Sequence, residues 1–571
     1  MAGKRPKDPA ARTRARDGGR APTQRTTGAE VLVAQLEALG VEVVFGLPGV
    51  HNLAIFDALS RSPIRTILVR HEQTAAYAAD GYARATGRLG VCITTTGPGA
   101  ANTAAAMGEA RASRSPVLHI STQIESRLLA GRSGRWSLHE SSHQKDLMDA
   151  VARWAASVSR AEAIASMVQR AAHQAFADRR GPAFLEIPND FLGEDVRWQA
   201  DEPVRRRRLP PDPDLVGRAG RALTDAKRSV IWAGGGVVSG DAWAALGKVA
   251  ETLQAPVVTT FAAKGVLPPE HPLLVGFPPH QPEVTKLLAG SDAVLIVGSD
   301  LDGMNTQGWR LTLPRPRIAI NTVAEDCRRN YAADVVIEAD AREALDLLLS
   351  TLKPRRSAAG ERRVAAARSA AERSLGADKP FAAGLRFVRR IEKALPDGVA
   401  VFADMAIPGY WMAAYHRARA PRSFAYPLGW GTLGFAFPAA LGAAAAGRRA
   451  LVVCGDAGLM YAVGDLATAV QERLPIAVLC LNDDGYGMLR FDERERFGRT
   501  IASDLQTPDL PALARAFGIE ARTVTVAKVG EGVAWALSRP GPTVVEVRGK
   551  LEPPLTTSPR WPLKGRKEAR P

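Results

Sequence analysis

Cysteine is scarce: four residues in a chain of 571, at positions 92, 327, 454 and 480, with no Cys-x-x-Cys spacing. That excludes a disulfide-stapled scaffold. Cys92, Cys454 and Cys480 stand in apolar, strand-like runs and read as small core residues, which points to a reducing cytoplasm. No apolar run approaches the roughly 20 residues that span a bilayer, so a transmembrane protein is excluded. The basic opening is not followed by an apolar stretch, and no secretory signal is expected. Acidic residues are outnumbered, 59 against 75, which leaves a net charge of +16. A nucleic-acid-binding protein would spread that excess over its folded faces. Here residues 1–26 and 550–571 supply +10 of it, and the stretches 205–208 and 353–373 much of the rest. The excess reads as solvated tails and linkers, so no specific nucleic-acid partner is expected.

What is present is ordinary globular material, 46% hydrophobic and 23% charged, enough for several domains. Residues 1–26 lack apolar periodicity and read as disordered. From Gly28 strands and helices alternate. The first block has strands over 41–45, 66–69, 91–95 and 183–187, with helices over 30–39, 55–59 and 73–86. A polar linker over 198–213 precedes a second block with strands over 230–233, 256–259, 293–297 and 317–321. A helical connector over 353–379 leads to a third, with strands over 399–403, 450–453, 476–481 and 543–547. Such alternation predicts three doubly wound α/β units, each a parallel sheet covered by helices.

The chemistry gathers at strand ends. Asp456 and Asp483 each follow an apolar strand of the third block, with a helix over 465–472 between them. Carboxylates at the carboxyl edge of a parallel sheet stand where ligands bind. Two of them suit Mg²⁺, which takes oxygen ligands and keeps phosphate oxygens in its shell. The amides of Ala457 and Gly458 would open onto those phosphates. In the first block, Glu72 begins a helix rich in small residues. The turns Gly46-Leu-Pro-Gly49 and Gly97-Pro-Gly99 follow neighbouring strands, so three strand ends carry an acid or a tight turn.

These residues resemble the thiamine-diphosphate-dependent enzymes that include acetolactate synthase and the 2-oxo acid decarboxylases, over about residues 28–550. The resemblance implies a pyrimidine-binding domain over 27–195, a central domain over 210–352, a linker over 353–380, a diphosphate-binding domain over 381–550 and a basic tail over 551–571. It makes Asp456, Asp483 and the carbonyl of Gly485 the Mg²⁺ ligands, Asp483 standing where many relatives have Asn. The segment from Arg70 to Arg84 looks like the activating-glutamate helix, with Glu72 on N1′ of the aminopyrimidine. Gly429-Trp-Gly-Thr-Leu-Gly434 looks like the loop under the cofactor, with the Gly431 carbonyl taking the 4′-amino group and Leu433 between the rings. Ala457, Gly458, Tyr486 and Met488 complete the cofactor contacts. His51, His139 and His143 are candidate proton donors, and His143-Gln144 stands at the Phe-Gln of the synthases' carboligation pocket.

The implied activity is decarboxylation of a 2-oxo acid through an enamine, because no side chain offers a sink for the electron pair left by CO₂. Glu72 is then expected to be largely desolvated. Several synthase features are replaced here, among them a tryptophan by Asp492. The middle block lacks the signatures of flavin-containing synthases, so FAD is not expected, and Gly234-Gly-Gly236 reads as a tight turn. Met405-Ala-Ile-Pro408 replaces polar residues that grip the diphosphate. The resemblance further implies a homodimer or homotetramer, with the first block of one subunit facing the third of its partner. The alternatives are a true acetolactate synthase joining two pyruvates, or a non-catalytic thiamine-diphosphate-binding protein.

Overall fold

The computed structural model describes residues 25–129, 137–197 and 208–554. The expected N-terminal tail up to residue 24, most of the C-terminal tail and residues 198–207 of the first linker lie outside the described residues.

Each of the three α/β units is built on one parallel sheet. The first has six strands in the order Arg65–Leu68, Val43–Gly46, Gly90–Thr94, Val117–Gln123, Ala183–Pro188, Trp154–Ser157. The third repeats that order: Phe424–Ala425, Ala400–Ala403, Ala450–Gly455, Ile476–Asn482, Thr543–Arg548, Glu520–Thr525. The central sheet has five strands in the order Val257–Thr259, Ser229–Ala233, Ala293–Val297, Arg317–Asn321, Val335–Glu338. In each, the first strand in sequence lies between the second and third. Chain direction across the sheet reverses there, and the crevice at its carboxyl edge is the natural ligand position. In the first unit that crevice receives the Gly46 and Gly97 turns. In the third it receives Asp404 and Asp456.

Every strand expected from the sequence is present within two residues of its expected bounds. Others were not legible. Val117–Gln123 is buried throughout but interrupted by polar residues. Its His119 lies 2.8 Å from the Thr94 hydroxyl, and Ser121 donates to the Thr95 carbonyl at 2.9 Å, so the sheet satisfies them internally. Glu520–Thr525 is an edge strand with mostly exposed side chains and carries no apolar run. The basic connector also differs from expectation. Its helix, Ala359–Ala377, buries Val364, Ala367, Ala371 and Leu375. Arg363 donates to Ser291 and to the carbonyl of Ser229 at 3.2 Å, and Arg368 to the carbonyl of His271 at 3.2 Å. These arginines bind the connector to the central unit rather than standing in solvent.

The first and third units meet through two helices, Glu72–Thr86 and Ala436–Ala445, whose apolar residues share one core. Small residues permit the close crossing. A methyl group at Gly81 would collide with the Ala439 carbonyl, and one at Gly442 with the Ala78 carbonyl. The helix start is fixed by His71, whose Nδ1 accepts from the Gln73 amide at 3.1 Å.

Candidate active site

The first-unit half of the site is organised by side chains that hold turns. Glu72 is buried at the first helical position, and Asn102 donates to its Oε2 at 2.9 Å. Gly97 has φ +65°, a conformation that favours glycine, and its amide donates to Gln144 Oε1 at 2.6 Å. Gln144 is itself buried and donates to the Thr122 carbonyl and to Glu186, each at 3.0 Å. Gln144 thus acts here by positioning the Gly97–Gly99 turn beside Glu72. On the neighbouring turn, the Gly49 amide donates to buried Asn52 at 2.7 Å. His51 and His139 stack edge to face, 5.3 Å between ring centroids, and the Nδ1 atoms of both are buried without a partner. Burial, then the charge of His139, lowers the His51 pKa, against a smaller opposing effect of Glu125. His143 stands apart. Its side chain is 82% exposed and lies 3.2 Å from Asp146.

The third-unit half centres on two carboxylates. Asp456 is the first residue of the helix Asp456–Met460 and is buried. Its Oδ2 accepts from the Gly485 amide at 3.1 Å and from the Thr507 hydroxyl. Its Oδ1 is buried with no protein partner. Asp483 has its pKa raised to about 6, first by burial and then by the Asp456 charge, with Arg490 opposing. Arg490 fixes the turn by donating to the carbonyls of Asp483 and Asp484 at 2.9 and 2.8 Å. Gly487 is required because a methyl group there would collide with Asp483 Oδ2. Ala457 and Gly458 are buried beside Asp456, and Tyr486 and Met488 are half-buried at the start of the helix Gly487–Phe497.

Against the third-unit carboxylates lies the loop 429–434. Gly431 and Gly434 have φ +67° and +86°. Leu433 is half-buried, and its Cδ1 would lie 3.2 Å from a methyl group at Gly458. Sequence reasoning passed over the residue on which these pieces converge. Asp404 is buried at the end of the Ala400–Ala403 strand, accepting from the Met405 amide at 2.8 Å and the Gly434 amide at 3.0 Å. Its Oδ2 would stand 2.7 Å from a methyl group at Gly458. Burial raises its pKa to about 6 despite the backbone N–H groups it receives. The strand-end position that singled out Asp456 also marks Asp404. Asn102 and Thr507 carried no sequence signal, because their partners are distant in the chain.

Family models for the thiamine pyrophosphate enzymes match all three units: the N-terminal thiamine-binding domain over residues 26–150, the central domain over 216–348 and the C-terminal thiamine-binding domain over 404–547. A probable 2-ketoarginine decarboxylase of Pseudomonas aeruginosa is 36% identical over 512 residues, 88% of this chain and 90% of the relative. The chain belongs to the thiamine pyrophosphate enzymes. An acetolactate synthase of Mycobacterium bovis is 31% identical over 525 residues, 87% of this chain and 83% of the relative. A probable acetolactate synthase large subunit of Methanocaldococcus jannaschii is 28% identical over 544 residues, 91% of each chain.

The residues present fit the family's cofactor, thiamine pyrophosphate (thiamine diphosphate). An unpartnered buried carboxylate oxygen beside a second carboxylate favours a cation. Among the described residues no three His, Cys, Asp or Glu side chains gather as a metal site, so a metal here would draw on two carboxylates and the backbone. No helix among the described residues is long and apolar enough to cross a membrane.

Proposed function

We propose that the chain is a thiamine-diphosphate- and Mg²⁺-dependent decarboxylase of 2-oxo acids. The observation that carries this reading is the unpartnered Oδ1 of Asp456 beside Asp483, at the crevice of the third sheet. Asp456, Asp483 and the Gly485 carbonyl would hold Mg²⁺, which in turn would hold the diphosphate. When bound, the cofactor supplies the sink for the electron pair left as CO₂ departs. Glu72, buried and held by Asn102, would meet N1′ of the aminopyrimidine and hold a proton there. The Gly431 carbonyl would accept from the 4′-amino group, and Leu433 would stand between the rings. Tyr486 and Met488 border the same space. His51 and His139 would supply the proton that replaces CO₂. His143, exposed in one chain, joins a site only where a second copy covers it.

Acetolactate synthesis, the joining of two pyruvates, is the second reading, supported by relatives at 28–31% identity. The facing His51–His139 pair supports decarboxylation, because it brings together two imidazoles able to give the proton that replaces CO₂. The decarboxylase relative is named for 2-ketoarginine, so guanidino-bearing 2-oxo acids head the panel of substrates to try. We propose a homodimer or homotetramer. Val50, Leu53 and Leu138 are exposed in the first unit near the His51–His139 pair, and Trp430, Met460 and Tyr461 beside the third-unit half, apolar surface suited to a second copy. All four cysteines are unpaired and buried, in keeping with a reducing cytoplasm.

Calorimetry should show thiamine diphosphate binding only with Mg²⁺, and Asp456→Ala should lose it. Glu72→Gln should still bind the cofactor while turnover on 2-oxo acids, read by mass spectrometry, falls by roughly 10²–10⁴-fold. Unchanged Mg²⁺-dependent binding in Asp456→Ala would overturn the assignment.

A further inference from the structure

The loop 429–434 is held at its far end by a carboxylate of its own unit, Asp404. Its near end is held by a carboxylate of the first unit. Glu109, on the helix Ala104–Ala112, is fully buried and accepts from the Trp430 amide at 3.1 Å through Oε2. Its Oε1 accepts from Ser113 at 2.7 Å and Arg84 at 3.1 Å. Arg84 also donates to both oxygens of Asp80, at 2.9 and 2.7 Å, and to the Tyr426 carbonyl at 3.0 Å. Its guanidinium lies over the Phe435 ring, 4.7 Å from the centroid. One arginine therefore touches the chain on either side of the loop. Packing agrees: a methyl group at Gly429 would collide with Ala112, and one at Gly108 would sit 2.7 Å from the Trp430 ring.

We infer that Glu109 is a positioning residue for the cofactor loop of its own chain, acting on a site whose Glu72 comes from the partner. The inference rests on the proposed thiamine diphosphate site shared between two copies. Fixing the Trp430 amide sets the Gly429–Trp430 peptide plane, two planes before the one that carries the Gly431 carbonyl, which must be aimed at the cofactor. A charged acceptor in a buried place makes that bond stronger than a neutral one. The helix Glu72–Thr86 then serves both sites of a dimer. Its first residue, Glu72, works in one, and Asp80 and Arg84, supporting Glu109, work in the other.

This assigns a first-unit residue to the same site as the third-unit residue Asp456 of its own chain, a sorting that a general folding role does not produce. Three inactive or weakened variants are mixed in pairs under subunit exchange, with tagged subunits proving exchange. Glu72→Gln with Asp456→Ala should recover activity, which tests the shared site itself. Glu72→Gln with Glu109→Ala should recover it too, because both lesions fall in one site and leave the other whole. Asp456→Ala with Glu109→Ala should not rise above the Glu109→Ala level, because each site carries one lesion. Recovery in the last pair but not the second would overturn the inference. Calorimetry on the single variants tests it independently. Loss of one hydrogen bond to a charged group predicts Glu109→Ala to weaken Mg²⁺–thiamine diphosphate binding on the order of 10- to 100-fold. Glu109→Gln keeps one acceptor oxygen but loses the charge and turns an N–H₂ toward a donor, so it should weaken binding less than Glu109→Ala by the same measure. If Glu109→Ala is folded and binds like wild type, the inference fails. If only the Glu72→Gln with Asp456→Ala pair fails, the shared site falls, and the calorimetric comparison alone decides whether Glu109 positions the loop.

Discussion

Asp404 is the residue whose surroundings most exceed what its sequence neighbours suggest. The polar residues usual after this strand are replaced by Met405-Ala-Ile-Pro408, yet the strand still ends in a buried acid that ties down the Gly434 amide. Its raised pKa has a consequence for stability. A carboxyl whose folded pKa is about 6, against 3.8 unperturbed, holds its proton more tightly folded than unfolded. Its contribution is therefore fully present below about pH 4 and is lost as pH rises through 6. Asp404→Asn removes this titration. Denaturant unfolding of the cofactor-free protein should show wild type losing roughly 1–3 kcal/mol relative to Asp404→Asn between pH 4 and pH 7. A pH-independent difference would show that Asp404 titrates alike in the folded and unfolded chain, with no raised pKa.

Among the elements, the crossing of Glu72–Thr86 on Ala436–Ala445 joins the first and third units. Gly81→Ala places a methyl group against the Ala439 carbonyl, which belongs to a backbone that cannot rotate away. Overpacking of this kind costs about 1–3 kcal/mol. Helix propensity favours Ala over Gly by roughly 1 kcal/mol, so it offsets only part of that cost. Thermal unfolding should therefore show Gly81→Ala less stable than wild type, although the same change is stabilising in an unpacked helix. The crossing also shows what the sequence could reveal. The run of alanines after Glu72 announced close packing, but nothing local named Ala436–Ala445 as the partner, 350 residues on. Asp456 and Asp483 were legible because strand ends are local features. Glu109 was not, since an acid within an alanine-rich helix becomes meaningful only once Arg84 and Trp430 are beside it. His143 and Gln144 are adjacent in sequence, yet one side chain faces solvent and the other is buried, a distinction set by the turn into the Gln144–Val151 helix.

At the scale of the whole molecule, the central unit raises the question of flavin. A cavity of about 540 Å³ opens at the carboxyl edge of its sheet, bordered by Gly235, Gly236, Ser299, Asp300 and Arg114. Several groups suited to a diphosphate are already engaged. The Gly234 and Gly236 amides donate to the carbonyls of Val297 and Gly298 at 2.8 and 2.9 Å. Arg114 pairs with Asp326 at 2.9 Å and Arg422 with Asp241 at 2.7 Å. The glycines at 234 and 236 are accounted for by loop contact, since a methyl group at either would collide with Gly298. Purified protein is accordingly expected to be colourless. A stoichiometric absorption band of oxidised flavin, confirmed by mass spectrometry, would return the chain to the flavin-containing synthases.

The glycine-lined crossing also bears on inheritance. Its two helices are separated along the chain by the whole central unit, so a recombination between relatives with a single breakpoint from 87 to 435 gives the offspring one helix from each parent. The two surfaces must then match in depth to within a methyl group at Gly81 and Gly442. Chimeras that exchange the central unit alone, with both breakpoints inside that interval, keep the parental pair together. Those that exchange only the first or only the third unit do not. As far as this crossing is concerned, exchange of the central unit alone leaves the contact intact, and the outer two units must be exchanged as a linked pair.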